Sequence, residues 1–482
     1  MSPSATPDRP RAGVLVAVLA FAGITVSLVQ TLVIPLIPQL PQLLSATPSD
    51  TAWAVTASLL AAAVATPVVG RLADMIGKRR MLLVSLGLLV VGSCIGALSD
   101  SLVPLVVGRA VQGAAAAVVP LGISVMRDAL PAERLGSATA VMSASLGVGG
   151  ALGLPAASLV AQHADWHALF WCMAALGVVA AVLVLVVVPE PAVRAGGRFD
   201  LVGAIGLSVG LVCLLLAISR GGDWGWASAP TLGLFAAAAL ALLLWGAWEL
   251  RTAAPLVDLR ISARRQVLLT NTASAVFGFS MFAMSLVLPQ LLQSPAATGY
   301  GLGLSVLGAG LVMGPSGLVM MAMAPVSARL SWARGPKVTL IAGAVVVALG
   351  YGAGTVLMSE IWEIVLVSAM ISAGIGLAYG AMPALVMAAV PVSHTAAANS
   401  LNNLMRAIGT SMASAVAGVV LAQLTVDVGG LAVPSEEGFR LVMVLGAAAA
   451  LGAGAVASFL PGRPGAPAAT GRRRAPDRAG TG

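Results

Sequence analysis

The sequence predicts an all-α integral membrane protein, and three observations carry that expectation. Of 482 residues, 59% are hydrophobic and only 9% are charged, against roughly 25% charged in a soluble domain. Mean hydropathy is +0.99, so the chain has too little charge to cover a water-facing surface. The apolar runs far exceed the ~10 residues of a membrane strand, which makes the spans helical and excludes a β-barrel.

Taken in order, runs almost free of acid and base cover residues 12–44, 51–70, 81–99, 101–126, 135–164, 166–188, 201–219 and 224–248. The run 266–328 is too long for one helix and divides at the polar, Gly/Pro-bearing stretch 293–301. Runs 338–359, 364–383, 396–425 and 441–460 complete a set of fourteen, each near the ~20 residues that a bilayer requires. An even number returns both termini to one side. With the N-terminus in the cytoplasm, the inside segments collect every one of the 26 basic residues except Arg109, Arg220, Arg406 and Arg440, as the positive-inside rule demands. The net charge of +8 is therefore a topology signal that needs no nucleic-acid partner. The first run is longer than the about 7–15 residues of a signal-peptide core and contains Pro35, Pro38 and Pro41, so it reads as a span. Cys94, Cys172 and Cys213 fall inside apolar runs with no CxxC pair; they read as packing residues, and neither a disulfide framework nor a metal site is expected.

The loop after span 2 has a copy after span 10. Arg71, Leu72, Gly77 and Arg79 recur as Arg329, Leu330, Gly335 and Lys337 at a constant offset of 258. Spans 1–6 and 9–14 are thus two parallel six-helix halves with spans 7 and 8 inserted between them, an architecture of secondary transporters. The chain divides into an N-terminal segment 1–11, a bundle 12–190, an inserted pair 191–251, a second bundle 252–460 and a tail 461–482. The tail is rich in Pro, Gly, Ala and Arg, a composition expected to stay disordered.

The loop Gly70-xxx-Asp74-xx-Gly77-Lys78-Arg79 resembles the signature loop of the major facilitator superfamily, and Arg109-Ala-Val-Gln112-Gly113 resembles its second motif. Fourteen spans with an inserted pair resemble its fourteen-span drug/proton antiporter family. Smaller echoes are Asp165-Trp166-His167, Arg198-Phe199-Asp200 and Arg406-Ala-Ile-Gly409, and span 5 carries Gly149, Gly150, Gly153 and Pro155 as displaced elements of an antiporter motif. The resemblance implies export of hydrophobic or amphipathic organic compounds, such as antibiotics, by alternating access. It further implies a proton gradient as energy source and no cofactor; the self-contained pair of bundles makes a monomer the default, and bases of which only Lys78 and Lys337 are lysine, with much Ala and Gly, point to a bacterial cell membrane. Two departures stand out. The family usually places an acid in the middle of span 1, where this chain has Ser27-Leu-Val-Gln30-Thr31, and Trp332 occupies the place of Asp74 in the second loop copy.

Individual residues carry sharper expectations. Asp74, in a cluster with Arg71, Lys78, Arg79 and Arg80, is placed to pair with bases or to sit against a helix N-terminus, as a conformational latch; the resemblance adds Arg127 and Asp128 as partners. Arg109 lies about eight residues into span 4, with Gln112 one turn further on the same face. A charge so deep normally faces a cavity or serves function, and the plainer alternative is a hydrogen-bonded hub between helices. Arg406, near Asn399, Asn402 and Asn403, reads as a knot in the inner gate or a coupling residue. The 18 acids divide evenly between the two ends, so proton coupling falls to boundary acids, with Asp74 and Asp128 inside and Asp50 outside. A substrate cavity is expected to use Gln30, Asn271, Phe277, Met281 and Tyr379, although aromatic and Met stripes more often pack cores. His163, Asp165 and His167 read as an outer-loop cap. A facilitator or importer of a small metabolite is the nearest alternative. A membrane enzyme or receptor is disfavoured by three histidines, no P-loop and no paired intramembrane carboxylates.

Overall fold

The computed structural model describes residues 9–31, 33, 36, 40–51, 53–190, 198–428 and 431–461; the expected disordered tail lies outside them, apart from residue 461. Among the described residues, fourteen helices are long and apolar enough to cross a membrane. They are α1 (Arg9–Thr31), α2 (Trp53–Ile76), α3 (Lys78–Ala97), α4 (Leu102–Ala129, tightened by a 3-10 turn at Ala114–Ala117), α5 (Ala132–His163), α6 (His167–Val187) and α7 (Leu201–Trp224). Then follow α8 (Ala229–Arg251), α9 (Arg265–Gln293), α10 (Val306–Arg334), α11 (Pro336–Gly354), α12 (Ile361–Ala389), α13 (Thr395–Gln423) and α14 (Glu436–Ser458).

Two ends depart from the expected spans for physical reasons. Helix α1 stops at Thr31, short of the predicted 44, just ahead of a stretch carrying three prolines, which cannot donate to a helix. Helix α2 runs six residues past the predicted 70, to Ile76, because Arg71 and Asp74 are buried against protein and charges so held do not end a span. Gly77 follows with φ 132°, and its repeat counterpart Gly335 has φ 93°. Both lie in the left-handed region that glycine enters without steric cost, so the repeated loop breaks the chain the same way in each half.

Three buried clusters organise the packing. One joins α1 to α6 through residues such as Leu19, Leu82, Leu105, Leu121 and Phe170. A second joins α9 to α14 through Phe277, Leu291, Leu340, Ile371 and Phe439, and takes in Ala140 and Ala144 of α5. In the third, Leu207, Leu211 and Leu215 of the inserted α7 meet Leu60 and Ala63 of α2 and Leu404 of α13, so α7 lies across the seam between the halves. Asp200 caps α7, accepting from the Gly203 amide at 2.8 Å and from the Trp248 indole at 3.1 Å. Helix α8 stays peripheral, with Leu240, Leu243 and Leu244 exposed. Cys172 is exposed and Cys94 and Cys213 are half-buried, all three unpaired.

One element was not anticipated: an antiparallel hairpin of β1 (Thr425–Val428) and β2 (Leu431–Pro434) between α13 and α14, in the register Val428↔Leu431. The Tyr300 hydroxyl donates to the Pro434 carbonyl. At the same end of the bundle, Asp165 accepts from the His167 amide at 2.8 Å and from its ring, and these bonds hold its carboxyl below the usual carboxylate range. That is the expected loop cap, and no group of three potential metal ligands occurs among the described residues.

Helix pairs in equivalent places are joined by facing glycines. A Cβ on Gly108 would meet the Gly92 carbonyl at 2.8 Å, and one on Gly374 would meet the Gly343 carbonyl at 2.6 Å. These approaches let backbones of α3 and α4, and of α11 and α12, touch directly, as small residues do in membrane bundles. Gly374→Val should destabilise the protein by roughly 1–3 kcal/mol through overpacking, read as a lower melting temperature in detergent. Gly87→Val, with nothing within 4 Å of its Cβ position, should leave it unchanged; equal losses would show that the close approach is not what holds these helices.

Candidate functional site

One end of the bundle carries the Gly70–Arg80 loop and its copy and is here called the basic end. There the last turn of α2 reaches across to the opposite half. Asp74 accepts hydrogen bonds from the backbone amides of Ala396, at 3.2 Å, and Ala397, at 2.9 Å. These are first-turn amides of α13, without partners inside their own helix, and the carboxylate sits where the helix dipole is positive. Lys78 lies 4.0 Å from Asp74 and 2.7 Å from Asp128, so one base links the two acids. Beside them Arg127 donates to Thr395 Oγ1 at 2.7 Å and to the Val390 carbonyl at 3.1 Å. First-half side chains therefore grip the α12–α13 turn at two points.

Glycine makes the approach close enough. A Cβ on Gly70 would stand 2.6 Å from that of Ser400 and 3.0 Å from the Ala396 carbonyl oxygen. Arg71 is buried in the same cluster, while Arg79 donates to the Leu185 carbonyl within its own half. In the second loop copy Trp332 stands in the place of Asp74 and is 81% exposed, so that position supplies no buried carboxylate.

Arg109 is bonded inside the first half. Its Nε donates to the Ala54 carbonyl at 3.0 Å, and its Nη1 to the Val29 carbonyl at 2.9 Å and to Gln112 Oε1 at 2.7 Å; Gln112 passes the chain on to Ser93 at 2.7 Å. At 1% exposure it joins α1, α2 and α4 in a polar hub, and Gly113 lets α4 approach the Ser58 carbonyl of α2. In α5, Gly149 faces Ser27 and Gly153 faces Thr31, both on α1, whereas Gly150 has nothing within 4 Å and Pro155 packs on Gly310 of α10.

Above the closed end lies a narrow cleft of about 20 Å³, walled by α4, α5, α12 and α13. Tyr379 and Arg406 stand about ten residues, hence ~15 Å at the helical rise, from the basic end. The Arg406 guanidinium lies 4.8 Å from the centroid of the Tyr379 ring and donates to Asn403 Oδ1. Asn402 and Asn399 complete the polar side, and Asn402 is fixed from behind by Asn271, at 2.9 Å.

Of the five residues expected in a cavity, Tyr379 alone lines this one. Asn271 supports it through Asn402, and Phe277 is fully buried in the second-half core with Met281 packed against that core; in both the apolar side chain has followed the ordinary drive to burial. Gln30 is half-buried on α1. Asp50 stays exposed at the far end, accepting from Thr47 at 2.7 Å. Residues that the sequence did not mark, Thr395, Ser400 and Val390, complete the closure. If Asp74 contributes ~1.4 kcal/mol to it as a helix-terminal charge, Asp74→Asn should raise maleimide labelling of a Ser400→Cys probe on the order of tenfold. The assay uses a background with the native cysteines replaced; an unchanged rate would remove Asp74 from the closure.

A family model described as Major Facilitator Superfamily matches residues 19–414. The chain is 29% identical over 423 residues to the tetracenomycin C resistance and export protein of Streptomyces glaucescens, covering 85% of this chain and 76% of that protein. It is 27% identical over 411 residues to a putative multidrug resistance protein, MdtD, of Escherichia coli, covering 84% and 85%. The human organic anion transporter MFSD10 superposes with a TM-score of 0.66 at 16% identity over 94% of this chain and 100% of that one, a likeness of fold. Because the family match runs from the first transmembrane helix into the thirteenth, the chain belongs to the Major Facilitator Superfamily of membrane transporters.

Proposed function

We propose that this transporter is a secondary active exporter of hydrophobic or amphipathic organic compounds, of the drug or antibiotic efflux type, working by alternating access with proton antiport. The observation that carries the reading is the polar and apolar cleft between the halves, shut at the basic end by the bonds from Asp74 and Arg127 to the start of α13. With both termini cytoplasmic in a bacterial plasma membrane, the closed end is the cytoplasmic one, and an inward-facing state requires those bonds to break. The names of the relatives, a tetracenomycin C export protein and a multidrug resistance protein, support the substrate class. The protein works as a monomer with lipid around it, needing no cofactor and no nucleic acid.

No acid lies in the middle of a described span, so proton exchange falls to Asp74 and Asp128 at the closure and Asp50 at the far end. A gradient of one pH unit supplies about 1.4 kcal/mol per proton, and a tightly coupled carrier would concentrate its substrate about tenfold. Purified protein in liposomes should show substrate-dependent proton flux and a ratio short of tenfold, reduced further by Asp128→Asn or Asp50→Asn. A full tenfold ratio retained in both variants would sink the boundary acids as the coupling groups. A reporter fused after Leu460 should be cytoplasmic and one in the loop 225–228 external; an external C-terminal reporter would overturn the orientation.

A further inference from the structure

We propose that the central cleft selects organic anions: largely apolar, aromatic compounds bearing one acidic group, a carboxylate, sulfonate or ionised phenol. The inference rests on the exporter reading and narrows its substrate class. Arg406 brings a guanidinium into the membrane interior, and no carboxylate is among the residues that line the cleft. Among the described residues only one of its N–H groups, on Nη2, is bonded, to Asn403 Oδ1, and its Cζ lies 4.8 Å from the Tyr379 ring centroid. Asp74 of α2 meets α13 at its start, ten residues or ~15 Å along the helix from Arg406, and is already held by the Ala396 and Ala397 amides.

The Tyr379 hydroxyl and the Asn403 amide add donors beside Arg406, while Asn399, its NH2 given to the Thr395 carbonyl at 3.0 Å, keeps its oxygen as an acceptor. The Tyr379 hydroxyl is buried and has no hydrogen-bond partner among the described residues. The Asn403 oxygen is engaged by Arg406, which leaves its NH2 to give. Asn402 is held at its own NH2 by Asn271 and at its oxygen by Ser274, so it fixes the wall instead of offering an acceptor. Against this polar edge stand Val119, Ile123, Met382 and Pro383, a surface for a ring system. A guanidinium edge binds a carboxylate or sulfonate through paired N–H bonds, and in a site of low dielectric it repels a cation at the same time. Arg406 ties α12 to α13 through Tyr379 and Asn403, and among the described residues its other N–H groups have no bond, which leaves them to the cleft that Arg406 lines.

An anion leaving an inside-negative cell also moves down the membrane potential, so its export asks less of a proton relay, in keeping with the absence of an acid from the middle of the spans.

The test compares two xanthene dyes of similar ring system and opposite charge, anionic fluorescein and cationic rhodamine 123, on the full chain. Binding is read by anisotropy in nanodiscs and flux in liposomes. Wild type should bind fluorescein at least tenfold more tightly. Arg406→Gln should abolish that preference without weakening rhodamine 123, which reports an intact cleft, and Arg406→Lys should restore part of it. Tighter binding of rhodamine 123 by wild type, or an undiminished preference for fluorescein in Arg406→Gln, overturns the anion site. Flux of rhodamine 123 alone leaves the exporter reading standing and overturns this one. Binding of fluorescein without flux of either dye supports the site and counts against export.

Discussion

Inside a bilayer no water is available to satisfy a polar group, so each must find its partner in the protein. This constraint sets where the chain can place charge. Arg109 meets it by spending its donors on two backbone carbonyls and Gln112, which fastens three helices of the first half to one another. Asp74 meets it through amides of the other half. The first solution is permanent, since its partners move together. The second joins bodies that can separate, and the same electrostatics then serves as a closure. Arg406 meets the constraint only in part, through a ring face and one amide oxygen, and the remainder of its bonding capacity faces the cleft.

The closure depends on close approach as much as on charge. Bonds of about 3 Å between Asp74 and α13 are available only because Gly70 brings α2 against Ser400 and Ala396 without a side chain between them. Arg127 then reaches Thr395 and the Val390 carbonyl from the end of α4. Backbone packing and ion–dipole attraction are therefore one device, and loss of either weakens both.

Much of the fold was legible in the sequence because hydropathy and repeat spacing are local signals. The fourteen spans, the break at Gly77 and its copy at Gly335 follow from composition and from a glycine that the turn requires. The hairpin at Thr425–Pro434 was overlooked, although alternating residues around Gly429-Gly430 are a hairpin signal. The site was less legible. Asp74 stood out by its motif, but its partners lie 322 residues away and are backbone amides, which no side-chain pattern marks. Phe277 looked like a cavity residue because an aromatic on an apolar helix looks the same from either side. Asn402 and Asn403 were visible as polar interruptions of α13, yet only the packing distinguishes the one braced by Asn271 from the one facing Arg406.

The inserted pair gives the molecule a front and a back in the plane of the membrane. Helix α7 is lodged against both α2 and α13, so lipid tails are kept out of that seam, and any rocking of the halves must slide along a greased flank of Leu207, Leu211 and Leu215. The opposite seam, between α5 and α10, is left to the two halves themselves, with Pro155 against Gly310 and Gly147 against Met320. Toward the acyl chains one flank is thus covered by a third helix, whereas the other is sealed by direct contact of the two halves alone.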